Sequence, residues 1–552
     1  MFFNFKGFNK KKKCGFITNI NIIPEPVSLH ISPKKFTLTK NTLIISDQNF
    51  NKLSEYLKNL IYPATGFKLE NYDLNNAPAN KRSINLILLD NSNDLDFEGY
   101  TLEITPLNIK ISATSPNGIF YGIQTLRQLL PIEMEEKKLI QNVKWKIPCL
   151  KIIDYPRFSW RGYMLDEARH FHGKEIVKGL IDLLALFKMN RFHWHLTDDQ
   201  GWRIEIKKYP KLTNIGSKRE ETQVGGLLSK KRDGIPHSGY YTQEDIQEIV
   251  NYAKIRFIEV VPEIDLPGHS RALLASYPNI SCKGYPFRVS TRWGYHKDVL
   301  CIGKERVFEF ISDILTEIVS LFPLNIIHIG GDEVLKKRWK ECPDCQNRIQ
   351  SEELQNEKQL QSYFTNRISR YLNDKNQKVI CWNDVLDNSL KEDVICQYWL
   401  RGKKKVREHI KNGGDVIMSN FKYTYLDHSY SFTPLELTYK FDPIPKKLNR
   451  KDYNHILGLE ALMWGEYIPN KERLEWQTFP RLIALAEIGW TPKIKKNFSA
   501  FYNRLLSLLK RLDLLGINYA KLYEVKGTFR KRLFKWFTLL TEEKGGTKNS
   551  NF

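Results

Sequence analysis

Residues 160–202 read WRGYMLDEARHFHGKEIVKGLIDLLALFKMNRFHWHLTDDQGW. RGYMLD is a short apolar run that ends on an acid. EIVKGLIDLLALF is longer and amphipathic, and RFHWHL is again short, apolar and followed by two acids. Strand, helix, strand is the reading that these lengths and periods predict. Working outward, the same unit recurs. FIEVVPEI, NIIHIG, KVICW, VICQYW, DVIMS and ILGLEALMW are further candidate strands, with helical stretches such as TQEDIQEIVNYA and RVFEFISDILTEIVSLF between them. Eight strands, most followed by a helix, predict an α/β fold of the (β/α)8 TIM-barrel type over residues 151–520. Polar residues just past the strand ends then stand at the catalytic rim.

Residues 20–150 read as a smaller α+β domain preceding the barrel. SINLILLD and YTLEITPLNIKISA are strand-like, and Pro116-Asn117-Gly118 leads into the helical IFYGIQTLRQLL, which Pro131 stops. The segment Cys149–Pro156 is taken as the linker. Residues 1–19 are expected to be disordered and 521–552 to form a tail. Within that tail FRKRLFKWFTLL (529–540) has the basic, aromatic composition of a membrane-surface helix, although packing on the barrel or disorder is the expectation.

The chain has 552 residues, 41% hydrophobic and 12% aromatic, enough for a large core. Its net charge of +23 is spread along the chain; Lys10–Lys13 is the one tight run, and no nucleic-acid motif accompanies it. No apolar stretch reaches the roughly 20 residues of a membrane span. MFFNFKGFNKKKKCGF lacks the apolar run and cleavage site of a secretory signal, so a cytoplasmic location is expected, or a periplasmic or extracellular one if the true start lies elsewhere. Eight cysteines are too few for a disulfide scaffold. Cys342 and Cys345 form a CxxC with no second CxxC or His pair at zinc-finger spacing, and they read as a turn leading into a helix.

The strand ends carry a dense set of polar and aromatic side chains. The first offers Asp166, Arg169 and His170; the second His193, His195, Asp198, Asp199 and Trp202. The third offers Glu263, Asp265 and His269, and the fourth ends in HIGGDEV with His328, Asp332 and Glu333. Later strands add Trp382, Trp399, Tyr425, Asp427, Trp464 and Glu466. Carboxylates and indoles at so many strand ends suit a sugar, whose apolar faces stack on rings while its hydroxyls bond charged groups.

On RGYMLDEARHF, HWHLTDDQGWR, VPEIDLPGHS, HIGGDEV and EALMWGE, in that order, the chain resembles family 20 glycoside hydrolases, the β-N-acetylhexosaminidases, over roughly residues 20 to 520. Asp332 and Glu333 are adjacent, so they are poorly placed to flank a scissile bond as an ordinary pair does. The resemblance implies substrate-assisted catalysis, in which the 2-acetamido oxygen attacks the anomeric carbon and forms an oxazolinium ion. It implies Glu333 as general acid and then base, Asp332 as the group that orients the acetamido N–H, and Tyr425 as the donor to its oxygen. Asp198 and His269 would support Glu333. Arg169, Asp427 and Glu466 would bind the far hydroxyls, with Trp382, Trp399 and Trp464 as walls. His193, His195 and His328 read as structural. The expected partner is a glycan or chitin oligosaccharide ending in N-acetylhexosamine, with no cofactor, metal, nucleic acid or membrane. The resemblance also implies a Cys282–Cys301 disulfide, worth about 3 kcal/mol by loop closure, with free thiols expected in a reducing compartment. One departure is Asn383, where the family commonly has an acid after Trp382.

Two other readings compete. His193-Trp194-His195 resembles the HxH metal pair of amidohydrolases, which His269, His328 and Asp332 could complete. That family carries HxH on its first barrel strand, whereas here it falls on the second, and sensitivity to a chelator would separate the two. A non-catalytic glycan-binding protein would be expected to lack Asp332 or Glu333, and both are present.

Overall fold

The computed structural model describes residues 20–90, 95–226, 228–387 and 389–527. Lys10–Lys13, Cys14 and the 529–540 segment lie outside these.

Eight parallel strands close into a barrel. In chain order they are Trp160–Asp166, Arg191–His195, Glu259–Glu263, Ile326–His328, Lys378–Trp382, Ile395–Tyr398, Val416–Met418 and Ile456–Met463. The last pairs with the first, from Gly458 opposite Trp160 to Met463 opposite Leu165. Every candidate strand of the barrel falls on one of these. Helices cover the outside and side chains fill the lumen, so the strands are buried on both faces; every residue of Trp160–Asp166 is buried. The helix Lys174–Leu186 buries Val177, Leu180, Ile181 and Leu184, the i, i+3, i+4, i+7 stripe that its sequence shows.

The preceding domain is a seven-stranded mixed sheet with the helices Asn51–Thr65 and Pro116–Leu129. The second helix starts as its sequence predicts: Ser115 accepts a hydrogen bond from the Gly118 N–H, and Pro116 opens the first turn. The segment taken as linker is corrected. Lys146–Asp154 is a strand that pairs with Ser28–Thr37 on one side and Tyr100–Ile104 on the other. Its near-alternating burial is a strand period, and the domain break falls after it.

Asp154, the last residue of that strand, ties the two domains. Its buried carboxylate accepts from Lys188 Nζ, Tyr100 Oη and Trp490 Nε1 at 2.9, 2.7 and 2.9 Å. Arg161 of the first barrel strand reaches back to Glu98 at 2.7 Å. The tail also starts later than its composition suggests. Ala520 and Val525 are buried, and the Leu435 N–H donates to the Val525 carbonyl.

The Cys282–Cys301 disulfide is corrected too, since all seven described cysteines are free. The Cys282 sulfur stands 3.8 Å from that of Cys345, and Cys301 stands 3.6 and 3.7 Å from Cys342 and Cys345. The two cysteines bracket their loop, yet their near neighbours include the CxxC of the next loop.

Candidate active site

The fourth barrel strand runs into Ile329-Gly330-Gly331-Asp332-Glu333, and the backbone of this turn places the two acids. Gly330 has φ +67°, and a Cβ there would lie 1.8 Å from Asp265 Oδ1. The same Asp265 oxygen accepts the Gly331 N–H at 3.1 Å, while the Gly330 N–H donates to His328 Nδ1 at 3.0 Å. Glu333 itself is left-handed at φ +49°, as is His269 at +44°. Such conformations cost on the order of 1–3 kcal/mol each in non-glycine residues and persist where the surroundings hold them. The Asp384 carboxylate lies beside the Glu333 backbone.

His269 faces both acids. Its Nε2 stands 3.8 Å from Asp332 Oδ2 and 3.8 Å from Glu333 Oε2. Its Nδ1 meets Asp198 Oδ1 at 3.1 Å, and Asp198 Oδ2 accepts from Arg169 at 2.8 Å. Arg169 also donates to Asp166 at 3.0 Å and to Gln200 at 3.0 Å. Burial opposes charge on Asp198 and on His269. Arg169 and His269 nevertheless hold the Asp198 carboxyl far below its usual range. Asp198 and Asp265 hold the His269 imidazole well above its own. The result is a buried Arg169–Asp198–His269 charge chain aimed at the two acids.

The acids differ in exposure. The Glu333 side chain is 35% accessible and that of Asp332 11%. Burial pushes Asp332 well above the usual carboxyl range; Asp265 adds to this and His269 opposes it. Burial also raises Glu333, with His269 opposing and Asp384 reinforcing. Asp332 Oδ1 and His269 Nε2 are buried without a hydrogen-bond partner.

Aromatic rings wall the same barrel mouth. Trp382, Tyr425, Met164 and Leu462 pack together, with the half-buried Trp399 and Trp464 against them. Trp399 stacks on Tyr425 at 6.4 Å, and Trp382 lies 5.9 Å from Trp464. The Arg169 guanidinium sits 5.0 Å over the Trp464 ring. Tyr425 lies within electrostatic reach of Asp427, Asp332 and Glu333, beside Trp464. Asp427 and Glu466 are both raised, first by burial; Glu466 adds to the shift at Asp427, and Asp427 Oδ1 has no partner. All eleven expected site residues are thus brought to one rim.

Below the rim, Glu263 is a hub. Its carboxylate accepts from His195 Nδ1 at 2.5 Å and Trp382 Nε1 at 2.8 Å, and His193 Nε2 stands 3.0 Å away. His193 Nδ1 meets Glu460 at 2.7 Å, and His195 Nε2 meets Asp198 at 3.1 Å. The HxH imidazoles are therefore spent on carboxylates of the lumen, which is the structural role expected for them. Three residues of the site escaped the sequence reading: Glu263 as hub, Gln200 as the brace of Arg169, and Asp384. Asn383, noted as a departure, turns away from the mouth: it accepts the Trp399 N–H at 3.0 Å and donates to the Leu400 carbonyl at 3.1 Å. Its neighbour Asp384 accepts from Trp399 Nε1 at 2.8 Å and faces the acids. The signal was in the sequence, one residue along.

With this geometry in hand, known proteins agree on one family. The model of the glycosyl hydrolase family 20 catalytic domain matches residues 158–493, and that of the family's domain 2 matches residues 19–155. A β-hexosaminidase of Porphyromonas gingivalis is 40% identical over 91% of this chain, which spans 64% of that protein's length. A family 20 β-N-acetylhexosaminidase structure from Streptomyces coelicolor superposes with a TM-score of 0.79 at 31% identity, covering 92% of this chain and 99% of the other. The Vibrio harveyi exo-β-N-acetylglucosaminidase in complex with N-acetylglucosamine gives 0.79 at 30% identity, over 91% and 78%. With matched models for both its parts, this chain belongs to glycosyl hydrolase family 20, the family of β-hexosaminidases and glycoside hydrolases that these relatives represent.

Proposed function

We propose that the protein is a retaining exo-β-N-acetylhexosaminidase that removes terminal N-acetylglucosamine or N-acetylgalactosamine by attack of the substrate's own acetamido oxygen. One observation carries this reading: Asp332 and Glu333 are consecutive and both approach the same imidazole nitrogen, so neither stands across the sugar as a nucleophile would. The tethered acetamido group supplies the nucleophile at high effective molarity. Glu333, more exposed and raised, suits proton donation to the leaving oxygen and then activation of water. The unpartnered Asp332 Oδ1 suits the acetamido N–H. Burial makes charge on Asp332 costly, so a cation that develops beside it is favoured in the transition state more than in the ground state. Tyr425, beside both acids, directs the acetamido oxygen. Arg169, Asp427 and Glu466 close the end of the pocket.

The test compares Glu333→Gln and Asp332→Asn on glycosides with good and poor leaving groups. Glu333→Gln should cripple poor leaving groups and spare activated aryl glycosides, with azide replacing water in the second step. Asp332→Asn should slow both classes by about 10²–10³-fold, the scale for losing one preorganised partner. A thiazoline mimic of the cyclic intermediate should inhibit the wild type strongly and Asp332→Asn weakly. Equal leaving-group dependence in the two variants, with no thiazoline inhibition, would overturn the mechanism.

A further inference from the structure

Beside the barrel mouth, on the loops that follow the third and fourth strands, four cysteine sulfurs meet. Cys282, Cys301, Cys342 and Cys345 all lie within 4.8 Å of one another, and all but Cys282 are buried. Cys301 stands 3.6 Å from Cys342 and 3.7 Å from Cys345, and Cys282 stands 3.8 Å from Cys345. Four thiolates each about 2.3 Å from one tetrahedral ion stand about 3.8 Å from each other. A disulfide brings its sulfurs to about 2.05 Å. The spacing fits four ligands of one ion and fits no pairing into two bonds.

The scaffold that gathers them does not depend on sulfur. An antiparallel bridge between Ser281 and Leu300, with the Cys301 N–H donating to the Ile280 carbonyl at 3.0 Å, sets the first two cysteines side by side. The CxxC then sits at the junction of two short helices, Lys337–Glu341 and Pro343–Ser351. It is drawn onto the first loop by Trp339 Nε1, which donates to the Leu300 carbonyl at 2.8 Å, and by Arg338, which bonds Asp298 at 2.6 Å. At Gly303 a Cβ would lie 2.1 Å from the Asp344 carbonyl carbon, so the two backbones touch. Lys304 Nζ, bonded to the Ser281 carbonyl at 2.6 Å, puts a cation beside the cluster.

We infer that these four cysteines bind a structural zinc ion, in place of the disulfide that the family resemblance implies and the simple turn that the sequence predicts. Soft thiolates in a closed tetrahedral set select zinc, and a four-thiolate site has no open position for catalysis. Binding releases the protons of the four thiols to solvent, with no change of redox state. The ion pins the loop that carries His269 to the loop that carries Asp332 and Glu333, so its role is to hold the two halves of the active site in register.

The test uses the full-length protein purified without chelator, with metal measured by mass spectrometry and thiols by alkylation and peptide mapping. The expected result is about one zinc per chain, with the four cysteines protected until a mercurial displaces the ion, whose release tracks their modification. Cys345→Ser should lose the zinc and lower the melting temperature. Should that variant not fold, cobalt substitution of the wild type should show the thiolate-to-metal charge-transfer and tetrahedral ligand-field bands of a four-sulfur site. Four thiols that alkylate freely without metal loss, two disulfides among these peptides, or iron at the same stoichiometry would each overturn the assignment.

Discussion

At the residue scale, the acidity of Glu333 is set by its neighbours more than by its own type. Burial and the Asp384 carboxylate raise it, and His269 opposes them. A raised general acid stays protonated to higher pH, which places the alkaline limb of kcat/KM above the ordinary glutamate value. Asp384→Asn keeps an oxygen to accept the Trp399 Nε1–H and removes the charge. Glu333 should then lose its proton more readily, and the alkaline limb should move to lower pH, most visibly with poor leaving groups. A pH–rate profile checks this; an unmoved or rising limb would show that Asp384 does not tune the acid. Asp332 and Glu333 themselves were legible as a pair in HIGGDEV. Asp384 was not, because which of Asn383 and Asp384 faces the mouth depends on the short 3-10 turn Asn383–Val385 rather than on the strand's alternation.

Elements come next, and here the barrel lumen couples strands through the Glu263 hub. Burial works against a charged His193, yet Glu460 and Glu263 raise its pKa to about 9. An unfolded histidine titrates near about 6.5. The folded value is the higher one, so this stabilisation is fully present below about pH 6.5 and is lost as pH rises through about 9. The melting temperature of the wild type should therefore fall across that window. His193→Gln should melt lower at pH 6 and show a flatter dependence; a scanning-fluorimetry series checks both, and an unchanged slope would refute the role of this imidazole. The strands that carry these groups were readable as elements, since their runs are short, apolar and separated by helices of the right period. Their shared carboxylate was not, because residues 193, 263 and 460 meet only when the barrel closes.

For the whole molecule, the two domains are joined by a buried charge. Lys188, wholly buried and held below its usual range by that burial, ion-pairs with Asp154 at 2.9 Å across the domain boundary. Lys188→Met leaves the Asp154 carboxylate uncompensated, which should cost about 3–5 kcal/mol. Adding Asp154→Leu should recover part of that loss, as a non-additive cycle in chemical denaturation. Full additivity would show that the pair does not couple. What the sequence determined by itself is the order and type of the barrel elements, the family motifs and the adjacent acids. Periodicity and short motifs are local properties, written in consecutive residues. Tertiary structure alone decided that Lys146–Asp154 joins a sheet, that Arg169 is committed to Asp166, Asp198 and Gln200, and that Cys282 and Cys301 meet Cys342 and Cys345. Apart from the Arg169–Asp166 pair, those outcomes join residues 29 or more positions apart that meet only when the sheet or the barrel has assembled, and no local pattern encodes such a distance.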